Sequence, residues 1–135
     1  MDVICDTSFL MVLVSVPIKC IDKVEKEIGN VNFLVPDIVI KELKHLEQTS
    51  GPKKAMIAKT AIHISRSKSK IIQVANFRHV DDAIFNYAMS HNCAAATIDR
   101  NLKKRLLINN ILVFTLSNNI LRIVTPVVEE KILKI

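Results

Sequence analysis

Tryptophan is absent from this chain, and with one Tyr and five Phe the aromatic share is only 4% of 135 residues. Its core must therefore be built mostly from Ile, Val, Leu and Ala. Glycine occurs twice and proline four times, which argues against a loop-rich or disordered chain and for regular elements joined by tight connections. The three cysteines, Cys5, Cys20 and Cys93, are odd in number and form no CxxC or Cys/His cluster. That pattern speaks against a disulfide framework or a structural zinc site. Apolar neighbours surround all three, as expected of buried thiols in a reducing, cytoplasmic setting. A long hydrophobic run is also missing. The apolar stretch from Phe9 to Ile18 is too short to span a bilayer, and Asp2 and Asp6 stand where a targeting segment carries positive charge. No membrane partner is expected.

Half of the residues are hydrophobic, enough to fill the core of one domain of this length. Lys and Arg number 19 against 13 Asp and Glu, for a formal net charge of +6. A basic surface favours anionic partners: nucleic acid, acidic protein or an anionic membrane.

The hydrophobic pattern alternates between strands and helices. Met1 to Cys5 reads as a strand, and Asp6, Thr7 and Ser8 can cap the helix that follows. That helix is expected to stop near Pro17, with a second from Ile18 to Ile28. Val31 to Val35 is a second strand, and Pro36 and Asp37 open a helix over Ile38–Glu47. After Gly51 and Pro52 a helix runs from Lys53 to Ser67, with Ala55, Ala58, Ile62 and Ser65 on one face. Ile71–Val74 is a third strand. Acidic Asp81 and Asp82 suit the first turn of a helix ending at His91. Cys93–Ile98, Asn101–Ile108 and Ile111–Leu116 then read as strand, short basic helix and strand. The stretch from Asn119 to Ile135 is compatible with a helix or an edge strand. Such an alternation, with continuously apolar strands, predicts an α/β fold with a parallel sheet covered on both faces. Ligands of such sheets bind beyond the carboxyl ends of the strands.

The acids gain meaning from that rule. Asp6 ends the first strand and Asp99 the fourth, Glu42 sits in the helix after the second strand, and Asp81 opens the helix before the fourth. Taken singly, Asp6 and Asp99 could be helix caps, Glu42 a solvated residue paired with His45 or Lys41, and Asp81 and Asp82 complements to a helix dipole. Taken together, they fall around one sheet edge. Clustered carboxylates repel one another, and such a cluster usually exists to hold a divalent cation. Oxygen-only ligands suit Mg²⁺ or Mn²⁺ rather than zinc, and such an ion is equipment for hydrolysing a phosphodiester.

At this point the chain resembles a known family. Asp6-Thr7-Ser8-Phe9-Leu10 after a short apolar strand looks like the opening motif of PIN-domain nucleases. Val35-Pro36 with Val39 and Glu42-Leu43 is similar to their second motif, Val80-Asp81-Asp82-Ala83-Ile84 with Ala88 to the third, and Thr97-Ile98-Asp99-Arg100-Asn101-Leu102 to the fourth. The resemblance spans roughly Met1 to Leu116, with the motifs in order. It implies a three-layer α/β/α sandwich with a five-stranded parallel sheet over residues 1–118, followed by a C-terminal extension over 119–135 that packs on the domain or in a dimer contact. It implies a Mg²⁺- or Mn²⁺-dependent endoribonuclease with Asp6, Glu42, Asp81 and Asp99 as catalytic metal ligands. Thr7, Ser8 and Thr97 become supporting residues that fix the carboxylates. Asp81 is favoured over Asp82 as the ligand because Ile84 and Ala88 follow it at helical core spacing, and Asp82 becomes a second ligand or a water holder. The Asp-Asp-Ala step and the run Lys103-Lys104-Arg105 look more like the branch that processes ribosomal RNA in archaea and eukaryotes than like the toxins of toxin–antitoxin pairs. Small domains of this family often pair, so a homodimer is compatible with the resemblance.

An RNA backbone could follow Arg100, Lys103, Lys104 and Arg105 into the cleft, with Lys53, Lys54 and Arg78 extending the track; Arg66, Lys68 and Lys70 more simply form a solvated face. His79 lies beside Asp81. Phosphate contacts of this kind give salt-dependent affinity with little sequence readout, and the scarcity of aromatics points to recognition of RNA shape or a single-stranded site. A PIN-like module that binds RNA or a ribosome-assembly partner without cutting is the main alternative in another class. A phospho-acceptor receiver domain would need an acidic pair after the first strand and an acceptor Asp after the third; here Thr7 follows Asp6, and Ala75 and Asn76 follow Val74.

Overall fold

The computed structural model describes residues 1–15, 26, 29–74, 78–118 and 120–126. The elements in chain order are β1 (Asp2–Cys5), α1 (Thr7–Leu13), β2 (Asn32–Pro36), α2 (Asp37–Thr49), α3 (Pro52–Lys68), β3 (Lys70–Ile72), α4 (Val80–His91), β4 (Ala94–Ala96), α5 (Arg100–Ile108), β5 (Val113–Ser117) and β6 (Ile120–Val124). The expected helix from Ile18 to Ile28, Cys20 and the residues after 126 lie outside the described residues.

Among the described residues the strands form one sheet in the order β3-β2-β1-β4-β5-β6. β1 to β5 pair in parallel, as the alternating pattern requires. The sheet has one strand more than expected: β6 turns back at Asn118, whose φ is 52°, and pairs antiparallel with β5 from Ser117↔Ile120 to Val113↔Val124. Of the two forms open to the stretch after residue 118, residues 120–124 take the edge strand.

Burial explains why β1 is central. Val3, Ile4 and Cys5 are consecutive and wholly buried, which only a strand covered on both faces achieves. Beside it, Ala94, Ala95 and Ala96 of β4 bring small side chains to the middle of the sheet, while Phe9 and Phe114 are the largest fully buried side chains. Helices α1, α2 and α3 pack together, and α4 packs on α5. Right-handed crossovers place these two groups on opposite faces, giving three layers. The chain winds outward from β1 in one direction to β2 and β3, then in the other from β4 to β5. The strand order therefore reverses between β1 and β4, and a crevice opens there beyond their carboxyl ends.

Element boundaries moved for local reasons. α1 ends at Leu13 with Val14 as its cap, short of Pro17; Val12 and Val14 are β-branched and weaken its final turn. β4 stops at Ala96 rather than Ile98, because the next residues turn toward Asp6 and α5. In α3 the buried face is Ala58, Ala61, Ile62 and Ser65, so Ala61 takes the place expected of Ala55. Cys5 is buried as expected, but Cys93 is only partly so, since it lies at the open lower end of β4. No helix among the described residues is long and apolar enough to cross a membrane.

Candidate active site

Asp6 is the last residue held by the β1 ladder, its N–H donating to Ala96 O at 3.1 Å. Its side chain then caps α1: Oδ1 accepts from the Phe9 N–H at 2.8 Å and from the Ser8 hydroxyl at 2.8 Å. Oδ2 accepts from the Thr97 hydroxyl. A carboxylate offers about four lone-pair sites, so one of them stays open on Oδ2. Thr97 also accepts from the Asp99 N–H at 3.0 Å, and Asp99 Oδ1 caps α5 by accepting from the Leu102 N–H at 3.0 Å. The two helix caps and the ends of β1 and β4 are thus one hydrogen-bonded chain. Asp6 and Asp99 are both caps and cleft acids; the two readings of these residues are compatible.

Asp6, Thr7, Ser8, Glu42, His79, Val80, Asp81 and Asp99 line one cleft of about 300 Å³ at the strand-order reversal. The four acids expected to converge do so. Glu42 reaches the cleft from the exposed side of α2, and Asp81 from the first turn of α4. Their proximity shows in their ionisation. Burial pushes the Asp6 carboxyl up to about 6 against three hydrogen bonds that favour its charged form, and Asp81 adds repulsion. Asp81 is raised by burial first, then by Asp99, Glu42 and Asp82, while Arg105 opposes. Bringing a cation near these groups would relieve the repulsion.

The supporting residues divide. Ser8 and Thr97 hold Asp6 directly. Thr7 does not: it lines the cleft at 6% exposure, and its buried Oγ1 has no hydrogen-bond partner. Asp82 does not line the cleft. It pairs with Arg105 at 2.7 Å, and the Arg105 guanidinium lies 4.0 Å from the centroid of the Phe85 ring.

Arg100, Lys103 and Lys104 follow the cleft along α5, where they line a separate groove of about 400 Å³ with Leu107 and Ile108. Lys53, Lys54 and Arg78 are exposed, and none of these cations is among the residues lining the acidic cleft. His79 is. It immediately precedes the Val80-Asp81 motif and takes an extended conformation as the N-cap of α4, with no capping bond from its side chain. Its place next to a motif acid was the available signal, but the sequence assigned it only to the basic surroundings.

The four acids fit a hard divalent cation on three counts: their donor atoms are all oxygen, Asp6 keeps an open lone pair, and the buried Thr7 hydroxyl lacks a partner. Among the described residues no three of these acids stand close enough to ring an ion by themselves.

A mostly parallel sheet with its acids gathered where the strand order reverses defines an α/β protein with an acidic cleft at its switch point. Residues 3–119 match the family model of the PIN like domain, and the chain belongs to that family, whose members are generally nucleases. Among solved structures it is similar to the PIN domain endonuclease Utp24, with 22% identity, 90% of each chain covered and a TM-score of 0.68. It is also similar to a domain of a functionally unknown protein from Methanocaldococcus jannaschii, with 15% identity over 86% of this chain and 91% of that one and a TM-score of 0.60. VapBC2 from Rickettsia felis, solved with a DNA fragment from its promoter, aligns with 17% identity over 87% of this chain and 100% of the other, at a TM-score of 0.60. These structural likenesses are likenesses of fold. No curated protein matches the chain by sequence.

Proposed function

We propose that this protein is a Mg²⁺- or Mn²⁺-dependent endoribonuclease that acts in RNA processing. The observation that carries the reading is the convergence of Asp6, Glu42, Asp81 and Asp99 on one cleft at the strand-order reversal. These four would hold the metal between them, one or two as direct ligands and the others through its bound water. When bound, the metal supplies an activated water and neutralises charge on the phosphate undergoing attack.

The chain's own residues do the rest. Ser8, Thr97 and the Phe9 N–H fix the Asp6 carboxylate, and the Leu102 N–H fixes Asp99. Preset orientation of this kind lowers the reorganisation needed during reaction. Asp81 or Asp99 orients the attacking water. Among the described residues that line the cleft, His79 has the one nitrogen-bearing side chain and offers an N–H donor to a phosphate oxygen, and the orphaned, buried Thr7 hydroxyl offers a hydrogen bond to a water held in the cleft wall. Arg100, Lys103, Lys104, Lys53, Lys54 and Arg78 attract the backbone from outside, giving affinity that falls with salt.

Within RNA processing we favour ribosomal RNA as substrate, on the Asp81-Asp82-Ala83 step and the basic run of α5. A toxin-type ribonuclease is the second reading. The free thiols of Cys5 and Cys93 suit a reducing, cytoplasmic compartment. A homodimer is compatible with this assignment.

The test is cleavage of a labelled structured RNA by the wild type and Asp99→Asn, with Mn²⁺, Mg²⁺ or EDTA. Metal-dependent cleavage that the variant lacks supports the assignment. RNA binding without cleavage under any metal would move the protein to the non-catalytic binding class.

A further inference from the structure

The ion pair between α4 and α5 stands apart from the cleft chemistry, yet it grips the residue next to a cleft acid. Arg105, in the second turn of α5, donates from Nη1 to Asp82 Oδ1 at 2.7 Å, and its guanidinium lies 4.0 Å from the Phe85 ring centroid. Asp82 and Phe85 are both on α4, three residues apart, so one side chain is held at two points on the neighbouring helix. Asp81 opens that helix and Asp99 caps the one that carries Arg105. The two acids therefore sit on the two elements that Arg105 ties together.

We propose that Arg105 is a positioning residue of the nuclease site: it holds Asp82 out of the cleft, so that Asp81 alone presents a carboxylate from α4 at a spacing from Asp99 set by the α4–α5 packing. The inference rests on the metal-site reading above. It differs from the sequence expectation for both residues, in which Arg105 contacts RNA and Asp82 serves the metal. Planar guanidinium is suited to the task, because it pairs with a carboxylate and stacks on an aromatic face at once. The charges facing it are Asp82 by direct contact and Asp81 through space.

A change of simple charge and a change of position have opposite signatures here. Removing a cation near an acidic site strengthens attraction for a metal, whereas misplacing a ligand slows the reaction. The experiment compares wild type, Arg105→Ala, Arg105→Lys and the double variant Arg105→Ala/Asp82→Asn, with Mn²⁺ binding followed by calorimetry and RNA cleavage followed at saturating Mn²⁺ and saturating RNA. Arg105→Ala is expected to bind Mn²⁺ more tightly than wild type but to turn over roughly tenfold more slowly, the scale typical of lost outer-shell support. Removing the freed carboxylate in the double variant should return both quantities most of the way, and Arg105→Lys, which keeps the charge but loses the stack on Phe85, should fall between wild type and Arg105→Ala. Overturning results are a raised KM with weaker salt dependence and unchanged kcat, which would make Arg105 a phosphate ligand, or a slow Arg105→Ala that the double variant does not restore. If no protein in the set cleaves RNA, the nuclease reading fails, and the Mn²⁺ titrations decide the positioning of Asp82 on their own: equal affinities in all four proteins would reject it.

Discussion

The Thr97 hydroxyl donates to Oδ2 of Asp6 across 91 residues of sequence, and the hydroxyl oxygen in turn accepts the N–H of Asp99. One threonine thereby fixes two acids of the cleft, one by its proton and the other by its lone pair. It is wholly buried, so water cannot replace either bond.

Thr97→Val should therefore remove both bonds with little change in volume. Loss of a buried hydrogen-bond partner costs about 1–3 kcal/mol, and urea unfolding at neutral pH is the check. Thr97→Ser should recover most of the loss, since it keeps the hydroxyl. Cleavage should fall in the valine variant and return with serine.

Asp6 sets a pH dependence with a definite sign. Its carboxyl titrates near pH 6 in the folded chain against an ordinary value of 3.8, so the folded state holds the extra proton between those values. Without metal, the contribution of this group to stability is fully present below the window and is lost as pH rises through it, by roughly 3 kcal/mol for a shift of this size. Asp6→Asn keeps the acceptor for Phe9 N–H and cannot ionise. In EDTA the stability difference between Asn variant and wild type should grow in favour of the variant from pH 4 to pH 7. A difference independent of pH would show that the carboxyl is solvated.

Mn²⁺ should raise the melting temperature of the wild type in a concentration-dependent way, because a ligand that binds only the folded state stabilises it by mass action. Asp6→Asn and Asp99→Asn should each blunt that rise, and EDTA should abolish it. A rise that survives in both variants would place the ion elsewhere.

His79→Ala should leave the Mn²⁺ response intact while weakening RNA binding, so that KM rises more than kcat falls. Asparagine or glutamine at this position should recover part of the affinity by restoring an N–H donor. A matching loss of Mn²⁺ affinity would instead make His79 part of the metal site.

Lys103→Ala/Lys104→Ala should weaken RNA binding and reduce the slope of log affinity against log salt by up to about one for each phosphate no longer neutralised. An unchanged slope would assign these lysines to the groove they share with Leu107 and Ile108 rather than to RNA.

How far the sequence revealed this site depends on the range of each interaction. Asp6 and Asp99 were legible because each follows a strand and opens a helix, a local pattern that fixes both position and direction. Glu42 and Asp81 needed the further rule that such sheets bind ligands at one edge. Spacing favoured Asp81 over Asp82 but left Asp82 as a second ligand or water holder, since its partner Arg105 lies on another helix and an ion pair across helices leaves no periodicity. Thr7 and Ser8 looked equivalent in the motif, and only the three-dimensional cap shows Ser8 bonded to Asp6 and Thr7 without a partner. β6 was not separable from a helix for a related reason: an edge strand has one ladder and one covered face at most, so its alternation is weaker than that of a buried strand.

The cleft draws its acids from residues 6, 42, 81 and 99, and the Thr97 N–H beside the last of them donates to Phe114 O in β5. During synthesis the amino-terminal acids leave the ribosome long before Asp99 and β5 follow. The acid set therefore stays incomplete until β4 and β5 have folded onto β1, and no amino-terminal fragment ending before Asp99 carries the whole cleft.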